Sequence, residues 1–202
     1  MLKQLPHIYE KINGFFTWPR LYKNMVDKFP SGSKFVEVGL FEGRSLSYLV
    51  IECHNSGKRL KVYGVDPFYG LSRFLTRNSL VLKFKRSTQR IHKKFTLIIK
   101  PSVVAAQEFK DGSLDFVFID ANHEFQHVTN DIAEWSKKVR KGGLIIGHDY
   151  FRSVNGIHIH VKDVVNGWAY AHKIHPWFTL EGQFGKAEIY DNKYKSWMWV
   201  KV

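Results

Sequence analysis

The chain has 202 residues, with 31 Lys and Arg against 18 Asp and Glu, a formal net charge of +13. Its 44% apolar and 15% aromatic content excludes a disordered chain, and the length suits one domain over residues 1–202 with a core that needs no disulfide. No apolar run exceeds four residues, the N-terminal MLKQLPHIYE lacks the apolar stretch of a secretory leader, and Cys53 stands alone. The expectation is therefore a cytoplasmic protein without a membrane span. The positive charge is partly local. No acidic residue lies between Asp66 and Glu108, whereas Arg73, Arg77, Lys83, Lys85, Arg86, Arg90, Lys93, Lys94 and Lys100 all do. Such a stretch is either a solvated face or a surface for an anionic partner.

Residues 1–30, rich in aromatics, are expected to form short helices beside a sheet. Five short runs of β-branched and aromatic residues then read as buried parallel strands: 34–39, 61–66, 96–99, 115–120 and 143–147. A helix follows the first, with Leu46, Leu49, Val50 and Cys53 at helical spacing. Another follows the fourth, with Val128, Ile132, Trp135 and Val139 on one face; Lys137, Lys138, Arg140 and Lys141 before Gly142-Gly143 predict its end there. Residues 177–180 and 196–202 read as two closing strands. Strands alternating with helices imply a doubly wound α/β sheet.

The first strand runs into Glu37-Val-Gly39-Leu-Phe-Glu-Gly43-Arg-Ser45. Two glycines four apart allow either a plain tight turn or close backbone approach to a ligand. The spacing is not the dinucleotide fingerprint, and Glu37 suits a cationic ligand group better than a pyrophosphate. Asp66, followed by Pro67 and Phe68, is placed at a strand end, where a carboxylate can accept from ribose hydroxyls or serve as a cap. Asp120 and Asp149 end the fourth and fifth strands at the same sheet edge, with His123 one turn past Asp120 and His148 next to Asp149. Two carboxylates and a histidine there suit a hard divalent ion; capping and backbone hydrogen bonds are the plainer alternative.

These motifs in this order resemble the class I S-adenosylmethionine-dependent methyltransferases. Phe35-Val-Glu-Val-Gly39, Phe118-Ile-Asp-Ala-Asn-His123 and Gly142-Gly-Leu-Ile-Ile-Gly-His-Asp-Tyr150 are more narrowly similar to small-molecule and sugar O-methyltransferases of the macrocin O-methyltransferase kind. The similarity covers residues 17–165, including Phe16-Thr-Trp-Pro19 and Leu21-Tyr22. It implies a Rossmann-like, mostly parallel seven-stranded sheet with an antiparallel closing strand. It also implies S-adenosylmethionine as cofactor, with Glu37, Gly39, Gly43 and Ser45 around its methionine part. Asp66, Pro67 and Phe68 would lie at the ribose, and Ser102 and Val103 at the adenine, where many relatives carry an acid. Asp120 would serve both cofactor and catalysis, and His123 would be the base. Asp120, His148 and Asp149 would hold Mg²⁺ or another divalent cation, although His148 stands where relatives usually have a carboxylate.

The expected acceptor is a small hydroxylated molecule, a sugar or glycoside, anionic if the basic stretch serves it. Residues 67–95 would cover the acceptor site, with Phe74, Phe84 and Phe95 interleaved among the cations. The same surface suits RNA, so an RNA methyltransferase is one alternative and a catalytically silent cofactor-binding protein another. His158 and His160 read as a surface or acceptor-pocket pair, and aromatics near both termini suggest a homodimer.

Overall fold

A computed structural model describes residues 3–69, 76–154, 157–180 and 195–202. Arg73 and Phe74 of the basic stretch lie outside them. Helix α1 (Pro19–Lys28) starts with proline, whose fixed φ suits the first helical position, and stops at an extended Phe29 before Pro30. Its last carbonyls are held by Lys58, whose Nζ donates to Val26, Asp27 and Phe29 at 2.7, 2.7 and 2.8 Å. A cation there also faces the negative helix end.

The chain continues through β1 (Lys34–Val38), α2 (Arg44–Asn55), β2 (Lys61–Val65), α3 (Arg77–Ser87), β3 (Thr96–Ile98), α4 (Ser102–Ala106), β4 (Leu114–Ile119), α5 (Phe125–Lys138) and β5 (Val139–Gly147). A small hairpin, β6 (Ser153–Val154) with β7 (Ile157–His158), precedes α6 (Val161–Ala171), β8 (Trp177–Leu180) and β9 (Ser196–Val200). The main sheet has seven strands in the order β3-β2-β1-β4-β5-β9-β8. The first five are mutually parallel, and β9 runs antiparallel to both β5 and β8. This is the expected α/β architecture with its closing antiparallel pair.

Both faces of the sheet are covered, which is why its central strands read as unbroken apolar runs. Strand parity still sorts the residues. Phe35, Phe116, Phe118, Leu144 and Ile146 face α1, α2 and α3 in one core. Val36, Val38, Val117, Ile119 and Ile145 face α4, α5 and α6 in the other. On β1 and β4, rings therefore point into one layer and β-branched side chains into the other, where Trp135, Trp197 and Trp199 supply the bulk.

Two expectations change. Helix α5 ends at Lys138, not at the glycine pair, because Val139 turns extended and pairs with Leu114 as the first residue of β5. Buried Val139 joins the core, while Lys138 Nζ and Arg140 Nε donate to Asp111 and Asp115 at 2.7 and 2.8 Å. Those carboxylates, Asp111 in the turn before β4 and Asp115 on β4, outcompete another helical turn. Phe84, expected on the basic surface, is buried against Phe68 and Phe95 at ring distances of 5.2 and 6.0 Å. The described part of that surface is thus mainly cationic, with Phe84 turned inward and Phe95 half-buried, while Tyr69 and Leu82 stay exposed. Among the described residues, no helix is long and apolar enough to cross a membrane.

Candidate active site

All the strand-end residues singled out from sequence gather at the carboxyl edge of the parallel strands, the usual ligand edge of open α/β sheets. After β1 the chain turns through Gly39 and Gly43, at φ +89° and +88°. A Cβ on Gly39 would sit 1.8 Å from the Asp120 carbonyl oxygen, so glycine is what lets the β1 and β4 turns touch. A Cβ on Gly43 would meet the Phe84 ring at 2.9 Å, so this glycine admits α3 against the turn. Both glycines answer to internal packing first.

Asp66 closes the same turn. Its Oδ2 accepts from the backbone N–H of Leu40 and Phe41 at 2.7 and 3.1 Å, and its Oδ1 from that of Phe68 at 2.6 Å. A carboxylate has about four lone-pair sites, so one on Oδ1 is left for a ligand. Burial raises the Asp66 pKa, and the three N–H bonds offset part of that. Phe68, expected beside a ribose, has its ring in the core. Ser102, expected at an adenine, accepts from Trp135 Nε1 at 2.8 Å and ties α4 to α5. Its neighbour Asp131 is pushed up to about 6, mainly by burial, with the Ser102 hydrogen bond opposing. Pro67 and Val103 are half-buried at the same edge.

Glu37 is 1% exposed. Its carboxyl accepts from Ser45 Oγ at 2.5 Å and Tyr22 Oη at 3.1 Å, and burial pushes its pKa up to about 8 against those two bonds. Tyr22 was not singled out as a site residue; an aromatic on an amphipathic helix carries no signal that its hydroxyl reaches a strand-end acid.

The β4 and β5 ends form a four-membered ionisable cluster. His123 Nε2 stands 2.9 Å from Asp149 Oδ2 and 3.7 Å from Asp120 Oδ1. His148 Nδ1 lies 3.4 Å from Asp120 and 3.2 Å from Asp149. Burial disfavours every charge here, but the opposite charges prevail. His123 rises to about 10 and His148 to about 9, while both carboxyls fall below the ordinary aspartate range. Donor atoms of Asp120, His123 and Asp149 all lie within 4.8 Å of one another, a mixed carboxylate and imidazole set that fits a divalent cation. His148, expected as a ligand, lies outside that group. It is buried behind the two carboxylates, with its ring 4.0 Å from that of Trp18.

Strained backbone gathers at this edge. Phe41, Phe68 and Asp149 have φ of 49°, 53° and 53°, a region that side chains other than glycine enter at a cost and chiefly at functional sites. No sequence pattern announces it. Nearby, His160 donates its backbone N–H to the His123 carbonyl at 3.0 Å, and its ring lies 4.5 Å from that of His158. The pair meets across a strand end and a helix start.

A family model described as a methyltransferase domain matches residues 36–150, the span that holds every strand-end group above. An uncharacterized protein of Acanthamoeba polyphaga mimivirus is 30% identical over 119 residues, 57% of this chain. The match spans about half, 51%, of that relative. Among solved structures, a cofactor-bound protein from MTB aligns with a TM-score of 0.65 at 14% identity, covering 98% of this chain and 84% of the other. An O-methyltransferase from Bacillus cereus in complex with SAH aligns with a TM-score of 0.61 at 17% identity, covering 94% and 83%. Identities this low carry the fold, which is that of class I methyltransferases.

Proposed function

Because the chain belongs to the methyltransferase domain family, we propose that it transfers the methyl group of S-adenosylmethionine to a hydroxyl of a small acceptor, a sugar or glycoside. The observation that carries this reading is the meeting of a buried acid and an acid-braced glycine turn with the Asp120–His123–Asp149 group at one sheet edge. Glu37 suits the ammonium of the donor's amino-acid end, since a cation beside it offsets the cost of its buried charge. Asp66 keeps one lone pair for a ribose hydroxyl and fixes the turn on which the donor lies. Ser102 and Val103 border the adenine end.

Transfer moves the methyl carbon from sulfur to the acceptor oxygen, leaves the electron pair on sulfur, and releases the hydroxyl proton. His123, held between Asp120 and Asp149 with its pKa raised to about 10, rests as an imidazolium near neutral pH and takes that proton as the neutral imidazole formed once a ligand breaks those ion pairs. Asp120 and Asp149 hold the imidazole from two sides, and His148 holds both carboxylates from behind. A divalent cation held by Asp120 and Asp149, two of the three grouped donors, would supply Lewis acidity to the acceptor oxygen and leave His123 as the base.

A second reading has its own observation. Arg77, Lys85, Arg86, Arg90 and Lys93 are exposed, and among the described residues none has a carboxylate partner. This cationic face of α3 and the turn after it would suit RNA as acceptor. The test is mass-spectrometric detection of methyl incorporation, with and without Mg²⁺, across sugars, glycosides, phenols and RNA. Transfer to a sugar or glycoside is expected. Transfer to RNA alone, with steep salt dependence, would favour the second reading, and donor binding without any transfer would point to a silent binding protein.

A further inference from the structure

The opposite, amino edge of the sheet carries a pocket of its own. Helix α2 starts at the glycine turn, so its C-terminal part, with Ile51, reaches that edge. The chain after α3 returns there to enter β3, carrying Arg90 and Ile91. Leu5, Pro6 and Ile8 form the third wall, and the space among these six residues measures about 130 Å³. Ile51 and Ile91 are buried, whereas Arg90 stands exposed at the rim. Polar bonds hold the third wall in place. Leu5 donates its N–H to Asn55 Oδ1 at 2.8 Å, and Asn55 Nδ2 donates back to the Leu5 carbonyl at 2.9 Å. Gln4 Nε2 adds a bond to the Asn55 carbonyl at 3.0 Å. The wall is pinned to the end of α2, so a ligand finds the pocket formed and need not order it.

The charge around it is one-sided. Glu52, the acid at this end of α2, is paired with His7 at 2.7 Å. Arg90 has no carboxylate partner among the described residues, and the exposed Lys93 and Lys94 follow it in sequence. An apolar cavity of about 150 Å³ accepts benzene, so this one has room for a body of about five or six carbons. A guanidinium fork matches the two oxygens of a carboxylate, and the one lining cation matches one negative charge. We propose that this pocket is a binding site for a small amphiphilic monocarboxylate. Its chain lies among Leu5, Ile8, Ile51 and Ile91, and its carboxylate pairs with Arg90. The site is at the sheet edge away from Asp120, His123 and Asp149, so its occupant is not the methyl acceptor. The inference is independent of the methyl-donor reading.

The test is titration of the full chain with hexanoate, hexanol, hexylamine and hexyl phosphate, followed by methyl NMR. Hexanoate should bind with a Kd below about 1 mM, and hexanol and hexylamine at least about tenfold more weakly. The shifted methyl signals should be those of Leu5, Ile8, Ile51 and Ile91. Arg90→Gln should cut hexanoate affinity about tenfold and leave hexanol within about twofold. Ile8→Trp, which fills the pocket from a half-buried position, should abolish binding of both and keep the melting temperature. Saturating S-adenosylhomocysteine should leave hexanoate affinity unchanged. Hexanoate binding that is no tighter than hexanol's, weaker than hexyl phosphate's or untouched by Arg90→Gln would overturn the carboxylate assignment. Absence of saturation, or competition with S-adenosylhomocysteine, would overturn the site itself.

Discussion

The two halves of the carboxyl edge hold their charges in opposite ways. On the β1–β2 side, Asp66 is bonded by three backbone N–H groups and Glu37 by two hydroxyls. These bonds are neutral, fixed by the main chain or by core side chains, and they leave the acids with raised pKa values. On the β4–β5 side, two aspartates and two histidines hold one another, and each group's ionised form depends on its neighbours. The first half is a rigid seat in which burial raises both acids, Glu37 up to about 8. The second is a mutually charged set whose partners a ligand can exchange. One sheet edge thus carries two kinds of acid, told apart by the kind of hydrogen bond that each receives.

The comparison breaks most visibly at His123. His123→Ala should cut methyl transfer by about 10²–10⁴ while leaving donor affinity within about threefold in a calorimetric titration; equal losses in both would erase the division of labour. Gly39→Ala should couple the halves by damage, since its Cβ would collide with the Asp120 carbonyl. We expect a loss of about 3–4 kcal/mol in chemical denaturation, with donor binding and transfer falling together. Asp66→Ala should orphan three backbone donors and cost about 2–3 kcal/mol; its signature is weaker donor binding with transfer at saturating donor retained.

Glu37→Gln is the smallest and sharpest test. The carboxyl holds its proton to about pH 8 in the folded chain, whereas in the unfolded chain it loses it near the ordinary glutamate value of about 4.3. Between those limits the folded state carries the extra proton, so this site's contribution to stability is full at low pH and is lost as pH rises through about 8. Glu37→Gln should remove that slope, stabilising the protein by about 1–2 kcal/mol near pH 7.5, and should weaken donor binding. In the wild type, donor affinity should rise from pH 6 toward 8 as the acid becomes able to pair with the ammonium. A flat pH profile would mean that Glu37 does not face the ligand.

Asp66, Asp120, His123 and Asp149 were legible in the sequence because buried parallel strands are apolar runs, and a charged residue at the end of such a run has one place to go. The glycines were legible too, but their physical cause was not. The clash of a Gly39 Cβ with Asp120 depends on β1 lying beside β4, a pairing between residues some 80 positions apart. The glycine pair at 142–143 misdirected the helix end because Val139 had a better use in the sheet. Phe84 looked like part of a charged surface, since three of its neighbours in sequence are cations, yet helical phase turns it into the core. Trp18 and Tyr22 belong to the stretch that carries the resemblance, but nothing local says what they touch: His148 for the one and Glu37 for the other, each more than ten positions away.

Taken alone, the sequence determined the alternation of strands and helices, the doubly wound α/β class and the residues that arrive at the ligand edge, because hydrophobic periodicity and strand ends are local properties. Tertiary structure decided which lone pairs remain available, and which histidine joins the carboxylates and which sits behind them. Those are relations between segments distant in the chain, and hydrogen bonds and charge pairs exist only once folding has brought both members together.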